Sequence, residues 1–105
     1  MDELEKSLFA IQKLRNLKTD EMNAYLNFNS RIKNLSSLDG KSKQLILIAL
    51  SIFAQCESCI LMNVSEAKEL GITDDEILDS CLLAVSMGGG PKMMFMKYVF
   101  DALDA

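Results

Sequence analysis

Leu4, Leu8, Ile11 and Leu14 recur three or four positions apart with charged residues between them, so residues 3 to 17 read as an amphipathic helix. Thr19 is the expected N-cap of a second helix. Asp20 and Glu21 fall in its first turn, where the positive end of the helix dipole favours carboxylates, and Met22, Tyr25, Leu26 and Ile32 make its apolar face. Ser36 to Gly40 ends it. From Lys41 to Leu70 neither proline nor glycine interrupts the chain, and periodicity alone permits one helix of about thirty residues, far above the mean of ~11–12. Such a length predicts a break, placed at the polar cluster Gln55-Cys56-Glu57-Ser58. The apolar run from Leu45 to Ala54 is about half the ~20 residues that span a bilayer, and it reads as a buried helix.

Beyond it, Gly71 fits a helix C-cap, and Thr73-Asp74-Asp75-Glu76 is a capping box in which hydroxyl and carboxylate satisfy orphan amides reciprocally. The helix predicted over 74–87 carries the stripe Ile77, Leu78, Cys81, Leu82 and Val85. It stops at Gly88-Gly89-Gly90, and Pro91 opens a last helix at a position suited to proline. That helix holds Met93, Met94, Phe95, Met96, Tyr98, Val99, Phe100 and Leu103, more apolar surface than one face of a small monomer buries. With the apolar helix from Leu45, this excess argues for a homo-oligomer. No alternating strand pattern and no repeat appears. The expectation is an all-α chain forming a single domain over 1–105.

Composition agrees with one folded core: of 105 residues half are apolar and a quarter charged. The net charge of −4 and the scattered lysines form no basic stripe, which argues against nucleic acid and anionic membranes as partners. The start Met1-Asp2-Glu3-Leu4-Glu5-Lys6 is acidic where a secretory signal is basic, so a cytoplasmic location is expected. In that reducing compartment three cysteines do not make a disulfide framework, and a close pair points to redox or metal chemistry. The chain has no histidine, which excludes a serine–histidine mechanism and leaves too few ligands for a four-coordinate intrachain zinc site. No metal and no cofactor is expected. Gly88-Gly89-Gly90-Pro91-Lys92 lacks the spacing and the hydroxyl residue of a phosphate loop. Cys81 lies on a core stripe and receives no chemical role.

Cys56-Glu57-Ser58-Cys59 is the motif that carries chemistry. At a helix start, partial positive charge and free amides lower a thiol's pKa, and the spacing of three brings the side chains within disulfide reach. One sulfur can then attack and the other resolve. Spacing alone leaves core packing and metal binding as alternatives. Glu57, between the cysteines, reads as a first-turn carboxylate placed for the helix dipole.

Lys41-Ser42-Lys43-Gln44-Leu45-Ile46, Gln55-Cys56-Glu57-Ser58-Cys59-Ile60, Ala67, Gly71-Ile72-Thr73-Asp74-Asp75-Glu76-Ile77 and Met87-Gly88-Gly89-Gly90-Pro91, in this order, resemble the AhpD-like, carboxymuconolactone decarboxylase family over about residues 38 to 103. The resemblance implies an all-α fold of about six helices, assembled as dimers, trimers or hexamers. Members with both cysteines resemble thiol reductases of the alkylhydroperoxidase type, which act on small hydroperoxides or partner-protein disulfides and are reset by a dithiol electron donor. In that branch the second cysteine, here Cys59, is the attacking thiol and the first, Cys56, its partner. Family members carry a glutamate where this chain has Gln44 and a histidine where it has Asn63. An amide can orient a thiol or donate to a thiolate, but it does not take up and release protons near neutral pH. Asn63, four residues past Cys59, is expected to support the sulfur as an N–H donor. Two other functions stand beside the redox one: a catalytically degenerate member that binds or scaffolds, and a lactone decarboxylase, for which the cysteines would be unnecessary.

Overall fold

The computed structural model describes residues 2–105, and all regular elements among them are helical. Six helices have eight residues or more and a seventh is a single four-residue turn. The chain divides into two compact units, one ending at Leu38 and one running from Asp39 to Ala105.

The first unit is a helical hairpin of α1 (Glu3–Leu17) and α2 (Thr19–Lys33). Asp2 caps α1, its Oδ1 accepting the Glu5 amide at 2.8 Å. Thr19 does not cap α2 as expected. The connection is so short that Lys18 takes the N-cap position, and the Thr19 hydroxyl turns back to donate to the Arg15 carbonyl at 2.8 Å, satisfying the end of α1. No residue of either helix is buried, and Phe9, Leu17, Tyr25 and Phe28 stand more than half exposed.

The second unit holds the core. α3 (Gly40–Phe53) packs on α4 (Glu57–Glu69) and α5 (Asp74–Gly88), and α4 packs on α7 (Met96–Leu103), with α6 (Gly90–Met93) between α5 and α7. Ile48, Ile52, Ile60, Val64, Ile77, Cys81 and Val99 are fully buried where these helices meet. Burying each such aliphatic side chain contributes roughly 1.5–3 kcal/mol. The starts of α3 and α5 are set by capping side chains. Asp39 Oδ1 accepts the Ser42 amide at 2.7 Å, and that hydrogen bond holds the Asp39 carboxyl below its ordinary range. The capping box at α5 forms as predicted, Thr73 Oγ1 accepting the Glu76 amide at 3.2 Å and Glu76 Oε1 accepting the Thr73 amide at 3.0 Å. The Glu76 carboxylate also pairs with Lys41 of α3, so one side chain ties two helix starts together. Gly71, at φ +80°, provides the left-handed turn after α4.

Three further expectations change. The helix from Leu45 is buried on one face only: Ile46, Leu50 and Phe53, at successive helical turns, are 45–56% exposed. The inward face of α5 includes Ser80 and Ala84 and excludes Leu82, because small residues let α3 approach and the Ser80 hydroxyl finds the Leu45 carbonyl. The last helix is split at Met94 and Phe95, where Phe95 and Tyr98 amides bond three residues back, to Lys92 and Phe95 carbonyls, and tighten the turn. Among the described residues no helix is long and apolar enough to cross a membrane.

Candidate active site

The predicted break in the long apolar segment falls between Phe53 and Glu57. Ala54 and Gln55 amides still bond to Leu50 and Ile52 carbonyls, and Gln55 then adopts φ +54°, a left-handed conformation uncommon outside glycine. This reversal lets the Cys56 amide reach the Ser51 carbonyl at 3.2 Å and sets Cys56 in extended backbone as the N-cap of α4. Its Sγ accepts the Cys59 amide at 3.2 Å, the role a serine hydroxyl plays in an ordinary cap. Cys56 and Cys59 are joined as a disulfide with their Cα atoms 5.2 Å apart. The two residues differ in surroundings: Cys56 is half-buried and Cys59 is exposed.

Gln44, Ser51 and Asn63 are brought together from α3 and α4, and Ser51 is the residue whose carbonyl accepts the Cys56 amide. Gln44 Nε2 donates to the Asn63 backbone carbonyl at 2.8 Å, Asn63 Nδ2 donates to Ser51 Oγ at 2.8 Å, and the Ser51 hydroxyl donates to the Leu47 carbonyl at 2.7 Å. Gln44 and Ser51 are 6% and 5% exposed, so these bonds satisfy groups that water does not reach. The donation expected from Asn63 is to a Cys59 thiolate; in the disulfide form its amide is held by Ser51. Ser51, whose own proton is committed to Leu47, presents a free lone pair to the amide, while the Cys59 backbone amide donates to the other sulfur, that of Cys56. Ser51 was not anticipated as part of the site. Its signal was a lone hydroxyl inside the apolar run, seven residues after Gln44 and therefore on the same helical face.

On the other side of the turn, Lys92 Nζ donates to Gln55 Oε1 at 2.8 Å and lies 4.7 Å from the centre of the Phe53 ring. Glu57 opens α4 beside the pair. Cys81 is fully buried in α5, and burial pushes its thiol up to about 11. A shallow cleft of about 310 Å³ between α3 and α5 is lined by Leu45, Ile46, Ala49, Glu76, Asp79, Ser80 and Leu83, so the cysteines do not line it.

Two curated relatives align over about two thirds of the chain. An uncharacterised protein of Cupriavidus necator is 33% identical over 72 residues, which is 66% of this chain and 64% of that protein. Uncharacterised protein 4 in the cox locus of Paracoccus denitrificans is 31% identical over 68 residues, 65% and 61% of the two chains. The alignments thus span less than two thirds of either relative's length. Among solved structures, a carboxymuconolactone decarboxylase family protein of Legionella pneumophila superposes with a TM-score of 0.86 and 28% identity, covering 95% of this chain and 89% of that one. A Thermotoga maritima protein of the same family, a candidate participant in antioxidative response, superposes at 0.84 with 19% identity, covering 98% and 88%. The latter likeness speaks to fold alone. The family model for the carboxymuconolactone decarboxylase family matches residues 19–102, across the boundary between the two compact units. With that match spanning most of the sequence and the helical architecture shared with solved members, the chain belongs to the carboxymuconolactone decarboxylase family and has its AhpD-like fold.

Proposed function

We propose that this chain is a thiol-dependent oxidoreductase that reduces small hydroperoxides or the disulfides of partner proteins through Cys56 and Cys59. The observation that carries the reading is the asymmetry of the pair: Cys59 is an exposed residue, whereas Cys56 is half-buried and its sulfur caps a helix and receives an amide hydrogen bond. The exposed Cys59 is the sulfur an outside reactant meets. As thiolate it attacks a peroxide oxygen, the O–O bond breaks, and the alkoxide leaves and takes a proton from water. Cys56 then attacks the sulfur of the Cys59 sulfenic acid, the S–O bond breaks, water leaves, and the disulfide closes. A dithiol donor attacks Cys59, and Cys56 departs as a thiolate that the Cys59 amide stabilises, which makes it the better leaving group. With a protein disulfide as substrate, Cys59 forms the mixed disulfide and Cys56 resolves it. The exposed apolar rows on α2 and α3 support a homo-oligomeric assembly, which sedimentation of the intact protein measures.

One observation favours a second reading, in which the fold is kept for binding or scaffolding. Gln44, Ser51 and Asn63 satisfy one another and the backbone, and none of them exchanges protons near neutral pH. Mass spectrometry and peptide mapping after about one equivalent of peroxide separate the two readings. The redox reading expects a rapid, dithiol-reversible Cys56–Cys59 disulfide, with sulfenic acid trapped in Cys56→Ser and absent in Cys59→Ser. Thiols no faster than free cysteine would leave the binding reading.

A further inference from the structure

Lys92 plays no part in the disulfide chemistry above, yet it links the glycine run after α5 to the turn before Cys56. An ideal Cβ built on Gly88 overlaps Lys92 Cγ and stands 2.8 Å from its Cε. The lysine stem therefore fills the space that a side chain at position 88 would need. Gly88 lies inside α5 without a left-handed φ, so backbone freedom does not account for glycine there, whereas this close approach does. From the notch the ammonium reaches Gln55 Oε1 at 2.8 Å, across the face of the Phe53 ring. Gln55 is the described non-glycine residue with a left-handed backbone, and it directly precedes the capping Cys56. Such a conformation persists where surrounding contacts over-determine it.

We infer that Lys92 is a positioning residue for the redox pair: seated against Gly88, it fixes the left-handed turn at Gln55 and so holds Cys56 as the sulfur cap of α4. The inference rests on the thiol-redox reading of that pair and adds a residue to it. Holding the cap favours the state in which Cys56 is a thiolate accepting the Cys59 amide, so Lys92 shifts the dithiol–disulfide balance toward the reduced pair. A lysine that merely tethers α6 to α3 would leave that balance alone.

The test equilibrates the intact protein with glutathione buffers of graded ratio, with trapping by alkylation and readout by mass. Lys92→Met is expected to move the equilibrium constant about two- to fivefold toward the disulfide, the scale of an exposed charged contact, which is ~10–20 mV at about 30 mV per tenfold. Gly88→Ala should expel the lysine stem and produce the same shift. Its thermal unfolding should be unchanged or raised, since alanine is the better helix former, and this keeps the test open if Lys92→Met folds poorly. Gln55→Gly makes the turn intrinsic, so adding Lys92→Met in that background should have little further effect. Equilibrium constants unchanged in both Lys92→Met and Gly88→Ala would overturn the inference. So would a full-size effect of Lys92→Met in the Gln55→Gly background, since the lysine would then act without the turn. Failure of the functional reading would show separately, as absence of peroxide and protein-disulfide turnover in the parent, because glutathione alone reports the balance.

Discussion

Replacing Gln44 with glutamate puts an acid where the structure uses a donor, and the consequences follow from two bonds. Gln44 is 6% exposed and its Nε2 donates to the Asn63 carbonyl at 2.8 Å. A carboxylate there has no proton to give, would face a carbonyl oxygen, and would lose its water. The neutral acid can donate the bond. Burial and hydrogen bonding thus both favour the protonated form and raise the new carboxyl from about 4.3 to roughly 7, within the range of buried glutamates. The sign follows from linkage. A folded-state value above the unfolded one means the folded chain holds the proton longer, so the variant's stability is highest below about pH 4.3 and declines as pH rises toward about 7. The decline amounts to about 3–4 kcal/mol at 1.36 kcal/mol per pH step. Urea unfolding followed by circular dichroism at pH 4 to 8, parent against variant, measures it. A parent-minus-variant difference that stays flat over that range would refute the reasoning.

Thr73→Ala removes the capping hydroxyl of α5 and should lower stability by ~1 kcal/mol, read as a shift in the urea midpoint with unchanged slope. The Glu76 carboxyl is held down at about 2, chiefly by its hydrogen bond from Lys41 and then by the Thr73 amide. Its stabilising effect is therefore complete above its ordinary 4.5 and is lost as pH falls toward about 2; Glu76→Gln should flatten that part of the acid-unfolding curve. Cys81, fully buried and with its thiol raised to about 11, should stay unmodified when the native reduced protein meets iodoacetamide at neutral pH, while peptide mapping finds Cys59 alkylated.

Features set within a few residues were legible in the sequence. The Thr73–Glu76 box depends on neighbours three positions apart, and the break before Cys56 was marked by polarity alone. What determines that break was not legible, because the left-handed Gln55 is held by Lys92, 37 positions along the chain. Face assignment on α5 failed for a similar reason. Ile77, Cys81 and Val85 fit stripes that include either Leu82 or Ser80 and Ala84, and the choice lies with α3, which demands close approach rather than hydrophobicity. Cys56 and Cys59 followed from the motif, whereas the destination of the Asn63 amide depended on Ser51 of another helix. Thr19 read as a cap because its type suits one, but the length of the connection decides which carbonyl its hydroxyl meets.

The composition of the Gln44–Ser51–Asn63 network also bears on what sort of pH dependence the chemistry can have. Gln44, Ser51 and Asn63 join α3 to α4 through neutral groups with their protons committed, so the support of the α4 start does not change between pH 5 and 9 by any titration of its own. A relay built from glutamate and histidine would make the rate rise with one ionisation and fall with another. Here the thiol itself is the group whose ionisation matters, and the exposed Cys59 meets protons directly from water. The peroxide rate should therefore climb with pH along a single limb that tracks thiolate formation and then level off. A descending limb near neutral pH, persisting in Gln44→Leu, would show that an acid outside this network protonates the leaving group, and the neutral support would then be only half of the site.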